Sequence, residues 1–459
     1  MGRPGRSASI RAKRNVVFRR DYADSGVGTE RPTAMVGYAA SMPPAPRTRL
    51  DPVPLAVLLA LLAMFGPFTI DAFFPAFHAV ERELSASPWQ MQQTISVYLL
   101  AYAVMSLFHG PVSDALGRRR VILVGVGGFL AASIGCAMSQ TIEQLLLFRG
   151  LQGVFTGAGL IVGRAIVRDL YEGPQAQKVM AMITLFFGVA PAVAPVIGGL
   201  VFRIATWHAV FWFLALYGAA LLLLCLRVLP ETHPPEARTP FRAAPLFDAY
   251  RRMALDGRFL LLAVCTGCNF GAFFLYISSA PAFVEKLLGL GTLGYAWFFV
   301  PCIAGMMTGA ALSNRFAGRI SPRRTVAIGY AIMGTAMAIN LAYDALLPRL
   351  VVPWAVLPIA LNSVGISLAF PTLSIKMLDR FPRHRGTASS LQAFVWGVMT
   401  GTIAGALSPL LSHSGMTLAI GAGALMASGL LCWIWYAAIT PAAQVEKPVE
   451  LSEETVEPV

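Results

Sequence analysis

Residues 54–77 read PLAVLLALLAMFGPFTIDAFFPAF. The run is long enough to cross a bilayer, for which a helix needs about 20 apolar residues. It holds one ionisable residue, Asp71. A carboxylate at the centre of such a helix costs on the order of 2.5–3.5 kcal/mol on insertion scales, so it belongs in a bundle interior or a wet cavity. The other placement is a helix-end acid that reaches the headgroups. With the helix ending near Phe77, Asp71 stands about six residues, roughly 9 Å, from that end, and this stretch alone leaves both placements open.

The rest of the chain repeats the pattern. Of 459 residues, 56% are hydrophobic and 13% are charged, against about 25% charged in soluble domains. This is the composition of an all-α integral membrane protein. The net charge of +13 does not point to nucleic acid, because the Lys and Arg residues cluster in short links between apolar runs, as the positive-inside rule expects. The six Cys all lie in apolar runs, and Cys265-Thr-Gly-Cys268 has no further Cys or His nearby to complete a metal site. The six His are scattered, no nucleophile–base pair stands out and no Walker motif occurs, so the chain does not read as an enzyme or as an ATP-driven pump. No metal or cofactor is expected.

After the first run, further spans are expected at about Met91–Ser113, Val121–Ser139, Gln144–Arg168, Val179–Phe202 and Trp207–Leu229. Six more follow at about Phe259–Ala280, Leu293–Ser313, Thr325–Leu341, Val352–Lys376, Ala388–Leu410 and Met416–Tyr436. The expected organisation is a disordered basic tail over residues 1–52, with Met35 or Met42 as alternative starts. A six-helix bundle over 53–229, a central loop over 230–258, a second bundle over 259–438 and a tail over 439–459 complete it. The amphipathic end of the loop, Leu246–Leu255, suits a membrane surface. Twelve spans put both ends on one side. The N-terminal tail, Arg118–Arg120, Arg238–Arg258, Arg315–Arg324 and Lys376–Arg385 share that side, which is therefore read as cytoplasmic.

Two links carry a specific pattern. The turn after the second span is Gly110-Pro-Val-Ser-Asp114-Ala-Leu-Gly117-Arg118-Arg-Arg120. Gly110 is expected to let neighbouring helices approach, Asp114 to pair with cations at the helix ends, and Gly117 to permit the sharp reversal. The corresponding link of the second half, Asn314-Arg-Phe-Ala-Gly318-Arg319, reads as a degraded copy. The fourth span opens Leu145-Leu-Leu-Phe-Arg149-Gly-Leu-Gln152-Gly153. Arg149 keeps its proton and needs a partner, water, or a route to the outer headgroups. It lies at a depth similar to that of Asp71, measured from the same face. In the fifth span, Ala190-Pro191-Ala-Val-Ala-Pro195-Val-Ile-Gly198-Gly199 combines two helix-loosening prolines with two glycines suited to tight packing.

The loop pattern resembles G-x-x-x-D-R/K-x-G-R-R/K of the major facilitator superfamily, with Ala115 in place of the basic residue. The fourth-span block resembles its L-x-x-x-R-x-x-Q-G motif, and the fifth-span block resembles that of proton-coupled antiporters, with Ala194 in place of Gly. Together with Arg164-Ala-Ile-Val-Arg168-Asp169-Leu-Tyr171, Thr69-Ile-Asp71-Ala-Phe-Phe-Pro75 and Pro382 to Ser389, they resemble the Bcr/CflA-type drug:proton antiporters over about Val53 to Tyr436. The resemblance implies a major facilitator fold of two six-helix bundles related by a pseudo-twofold axis. It implies export of drug-like small molecules in exchange for protons across a bacterial inner membrane by alternating access, with the proton gradient as the energy source and a monomer as the working unit. Asp71 would be the proton-binding acid and Arg149 the partner that sets its ionisation. Proton-coupled uptake of a metabolite, such as an amino acid or sugar, is the alternative. Tyr98, Tyr102, Asn269, Tyr276, Asn362, Gln392 and Trp396 are candidates to line the cavity, although each also suits plain packing. Glu285 and Asp344, near outer helix ends, are expected to be solvated.

Overall fold

The computed structural model describes residues 52–347 and 349–441. The expected tails fall almost entirely outside these residues. Among the described residues, twelve helices are long and apolar enough to span a membrane and no strand occurs. Helices are the outcome physics requires, because in hydrocarbon every backbone N–H and C=O must be satisfied within its own segment. Spans 1 to 6 are Val53–Glu83, Pro88–Leu116, Arg118–Ala137, Ile142–Leu170, Gly173–Ile204 and Trp207–Val228. Spans 7 to 12 are Gly257–Ser278, Tyr295–Phe316, Pro322–Leu346, Leu357–Leu378, Arg385–Leu411 and Gly415–Ile439.

The ends follow local chemistry. Ser87 and Gln90 form a reciprocal capping box at the start of span 2, and the Asp256 carboxylate accepts the Phe259 N–H at the start of span 7. Span 2 stops at Gly117, whose φ of +95° suits a residue without a side chain. Span 1 is not one straight helix. Its first helix, Pro52–Asp71, ends at the acid itself, a 3₁₀ turn covers Phe74–Ala76, and a second helix runs Phe77–Glu83. The cause is Pro75, which has no N–H to give the Asp71 carbonyl and whose ring crowds that carbonyl. Span 1 therefore continues to Glu83, and Asp71 lies about twelve residues, roughly 18 Å of helix, from its end. It is deeper than a stop at Phe77 suggests.

The packing repeats with an offset of six. Span 1 packs on spans 4, 5 and 6, and span 7 on spans 10, 11 and 12. Span 4 also takes spans 2 and 3, as span 10 takes 8 and 9; span 3 packs on 6, as 9 does on 12. Between the halves, span 2 meets span 11 and span 5 meets span 8, and these two contacts exchange under the same offset. This is a two-bundle fold with pseudo-twofold symmetry. The link between the bundles carries a helix at Ala243–Ala254. Its Tyr250 and Met253 are buried, and the Tyr250 hydroxyl donates to the Leu107 carbonyl of span 2 at 2.7 Å.

Candidate functional site

The end of the bundle with the Asp114–Arg120 turn is called the basic face and the opposite end the far face. At the far face the halves are joined by hydrogen bonds. Gln92 donates to the Ser278 carbonyl at 3.2 Å, Gln93 to the Gly405 carbonyl at 2.9 Å, and Ser96 to the Gly401 carbonyl at 2.8 Å. The Gly405 acceptor lies in a π-helical stretch of span 11, Ile403–Leu407. The Tyr295 hydroxyl of span 8 lies 3.1 Å from the Phe74 carbonyl oxygen, and its ring stacks on Phe74. The far face is closed.

Asp71 sits beneath that closure, 3% exposed. Among the described residues, no hydrogen bond or ion pair reaches its carboxylate. Arg149 is fully buried at the same level, yet it engages the chain on either side of Asp71 rather than Asp71 itself. Its Nε donates to the Thr94 carbonyl at 3.1 Å, and one terminal nitrogen donates to the Thr69 carbonyl at 3.4 Å and to Gln152 Oε1 at 2.8 Å. The other terminal nitrogen is buried without a partner. The guanidinium also lies over the Tyr98 and Phe73 rings, 4.7 and 5.6 Å from their centroids. Desolvated cation–π contacts of this kind contribute about 2 kcal/mol. The headgroup placements of Asp71 and Arg149 are excluded by burial.

The sequence builds this nest by small residues and polar caps. A side chain at Gly153 would collide with the Tyr98 carbonyl, so Gly153 is what allows span 4 to reach span 2. At Gly198 a side chain would collide with the Ala72 carbonyl, one residue past Asp71. Gly199 meets the Thr292 carbonyl of the second half. Gln152 donates to Ser133 at 2.8 Å, which orients its oxygen toward Arg149. Pro191 and Pro195 lie within one unbroken helix, Gly173–Ile204. Gly110 is different. Nothing stands within 4 Å of a side chain built there, so it is not a close-approach glycine.

At the basic face, Arg118 gathers the motif residues into one network. Its side chain is paired with Asp114, donates to Asp169 at 3.1 Å and reaches Ser113 at 2.6 Å. Its backbone N–H donates to Glu231 at 2.9 Å, and Thr232 donates to Asp169 at 2.9 Å. Spans 2, 3 and 4 are thereby tied to the start of the central link.

The cavity candidates separate into groups. Asn269 and Tyr276 belong to the interior of the second bundle, not to a cavity. Asn269 exchanges hydrogen bonds with Tyr330 and packs on Gly429, and the Tyr276 hydroxyl accepts from Asn340 at 2.6 Å. Both are buried because span 7 is enclosed on nearly every side. Tyr98 belongs to the Arg149 nest. Tyr102, Gln392 and Trp396 are only half-buried. Trp396 lies between Phe270 and Phe370 and donates to the Thr266 carbonyl at 3.3 Å, while Gln392 accepts from Ser374. Asn362 is fully buried and neither amide atom has a partner.

Two groups escaped sequence reading. Arg164, about four turns along span 4 from Arg149, is half-buried with an unpartnered Nε. Glu285 is not solvated as expected. Its side chain is 20% exposed and accepts from Tyr295 at 2.9 Å. Burial raises its carboxyl above the ordinary range, against the lowering influence of Tyr295, His78 and Lys286. A surface cavity of about 490 Å³ lies at the far face among Lys286, Asp344, Arg349 and His413, away from Asp71.

Comparison with known proteins agrees with this architecture. Residues 57–404 match the model of the Major Facilitator Superfamily. An MFS-type transporter of Bacillus subtilis, YdgK, is 31% identical over 81% of this chain and 91% of its own length. A bicyclomycin resistance protein homolog of Haemophilus influenzae is 29% identical over 72% of this chain and 83% of its own. Multidrug resistance protein D of Escherichia coli is 29% identical over 83% and 95%. Among solved structures, a D-xylose-proton symporter superposes with a TM-score of 0.65 at 14% identity, over 83% of this chain and 97% of that one. Fold, motifs and relatives agree with the resemblance to Bcr/CflA-type proteins, and the chain belongs to the Major Facilitator Superfamily of membrane transporters.

Proposed function

We propose that this protein exports drug-like small molecules in exchange for protons, by alternating access to a cavity between its two halves. The observation that carries this reading is Asp71. It is a buried carboxylate in a membrane span, placed at a helix break, with neither donor nor cation on it. An ionised acid in that position is costly. Binding a proton, binding a cationic or polar substrate, or a rearrangement that brings Arg149 within reach would each relieve it. Proton and substrate competing for one carboxylate is the chemistry of exchange.

Relatives named for bicyclomycin and multidrug resistance favour drug-like substrates. The basic links favour a cytoplasmic basic face, with both chain ends on that side of a bacterial inner membrane. With the far face closed, a cavity between the halves would be approached from the cytoplasm, where an exporter loads. Tyr102, Gln392 and Trp396 supply half-buried aromatic and polar groups for a substrate, and Asn362 supplies an unpartnered amide. The proton gradient is a sufficient energy source without a cofactor, and one chain is the working unit. A drug-susceptibility panel in a pump-deleted bacterial host tests the reading. The native protein raises resistance to a subset of compounds, and Asp71→Asn at equal expression does not. Equal resistance from both would remove Asp71 from the mechanism.

A further inference from the structure

The far face contains a hydrogen-bonded chain that one added proton would complete. The Tyr295 hydroxyl lies 2.9 Å from Glu285 Oε1 and 3.1 Å from the Phe74 carbonyl oxygen. Glu285 belongs to the second half, in the π-helical segment Pro281–Leu287, and Phe74 to the 3₁₀ turn that interrupts span 1. A phenol has a single proton to donate. With Glu285 ionised, that proton goes to the carboxylate, and the bond across the interface to Phe74 is forgone. With Glu285 protonated, the carboxyl O–H donates to the Tyr295 oxygen, and the phenol is free to donate to Phe74. Both contacts are then satisfied at once.

The groups facing Glu285 are few. Lys286 adjoins it on its own segment, and Tyr295 comes from span 8. His78 comes from span 1, with Nε2 3.9 Å from Glu285 Oε2 and Nδ1 2.8 Å from Glu81 Oε2. The His78 Nε2 is buried without a hydrogen bond.

We propose that Glu285 is a second proton-binding site, and that its protonation locks the far face shut through Tyr295 and the Phe74 carbonyl. Burial in the closed form holds the Glu285 carboxyl above its ordinary range. Opening exposes it to water, where the ordinary value returns. The closed form therefore takes up the proton more readily. Its advantage is fullest below the open-state value and is lost as pH rises through the closed-state value. A proton arriving from the far side would favour the form open to the basic face. This inference concerns conformation and stands whether or not Asp71 carries the exchanged proton.

Far-face separation tests it directly. Spin labels are placed at Arg82→Cys and Gly291→Cys, both exposed positions. Cys432, the one cysteine that is not fully buried, is replaced by Ser. Electron–electron distance distributions are recorded in lipid nanodiscs from roughly pH 5 to pH 8, where between the two carboxyl values the closed-to-open ratio rises by up to about tenfold per unit fall in pH. Glu285→Gln, whose amide donates to Tyr295 at every pH, holds the short distance throughout. Tyr295→Phe, which keeps the ring, loses the pH response. A native protein indifferent to pH overturns the proposal, and so does an unchanged response in Glu285→Gln or in Tyr295→Phe. A response that persists in both and vanishes only in His78→Gln also overturns it, by moving the switch to the imidazole.

Discussion

Replacing Gly153 by Ala is the sharpest test of how the Arg149 nest is built. The added methyl would collide with the Tyr98 carbonyl on span 2, so ordinary van der Waals spacing requires spans 2 and 4 to part by about 1 Å. Thr94 lies one turn from Tyr98 on the same helix, and its carbonyl accepts from Arg149 Nε at 3.1 Å. A shift of that size takes the bond to about 4 Å, beyond hydrogen-bond range. Losing a hydrogen bond to a charged group costs about 1.5–3 kcal/mol, and overpacking a tight contact adds about 1–3 kcal/mol. The expected loss is therefore about 2.5–6 kcal/mol, the sum of those two ranges. The control is Gly127→Ala in span 3, where nothing stands within 4 Å of the added carbon. There the change should be neutral or stabilising by up to about 1 kcal/mol, because Ala is the better helix former. Denaturant titration of the purified protein in mixed micelles, followed by tryptophan fluorescence, measures both. Equal midpoints for the two variants would refute the close-approach account of the nest.

Two further outcomes follow from the basic face. Asp256 caps span 7 and holds Arg380 through two hydrogen bonds of 3.0 and 2.6 Å; Asp256→Ala should cost about 1–3 kcal/mol in the same titration. Burial alone would raise the Asp256 carboxyl, but the Arg380 and backbone hydrogen bonds prevail and hold it below the usual carboxylate range. Its contribution is thus present above the unfolded-state value and is lost as pH falls through the folded one, so the native–variant difference should stay level from neutral pH down to the ordinary carboxylate range and shrink only below it. Arg118→Ala removes the side chain that joins Asp114, Ser113 and Asp169; it should lower transport while leaving membrane insertion intact, and undiminished transport in reconstituted vesicles would count against a coupling role for that network.

Much of the architecture was legible because the bilayer permits so few solutions. An apolar run of about 20 residues must be a helix, and twelve such runs with an alternating basic side leave little choice of plan. Asp71 and Arg149 stood out for the same reason, since an ionisable residue in a span is rare. Depth was harder to read. His78, Glu81 and Arg82 look like a polar link, yet they lie on a helix that continues span 1 past the Pro75 break to Glu83. Orientation within span 7 was harder still. Its polar residues Asn269 and Tyr276 sit on a helix enclosed on nearly every side, so sequence periodicity does not separate cavity from bundle interior. Glu285 was hidden because its partners come from other segments: Tyr295 opens span 8, and His78 lies across the interface on the continuation of span 1.

The central claim is that Asp71 is where substrate and proton exchange. Purified protein in a weakly buffered solution with a pH-sensitive dye reports it without any need for transport. Adding a compound to which the protein confers resistance should release protons from the native protein and none from Asp71→Asn. Release of the same size from both would contradict the account.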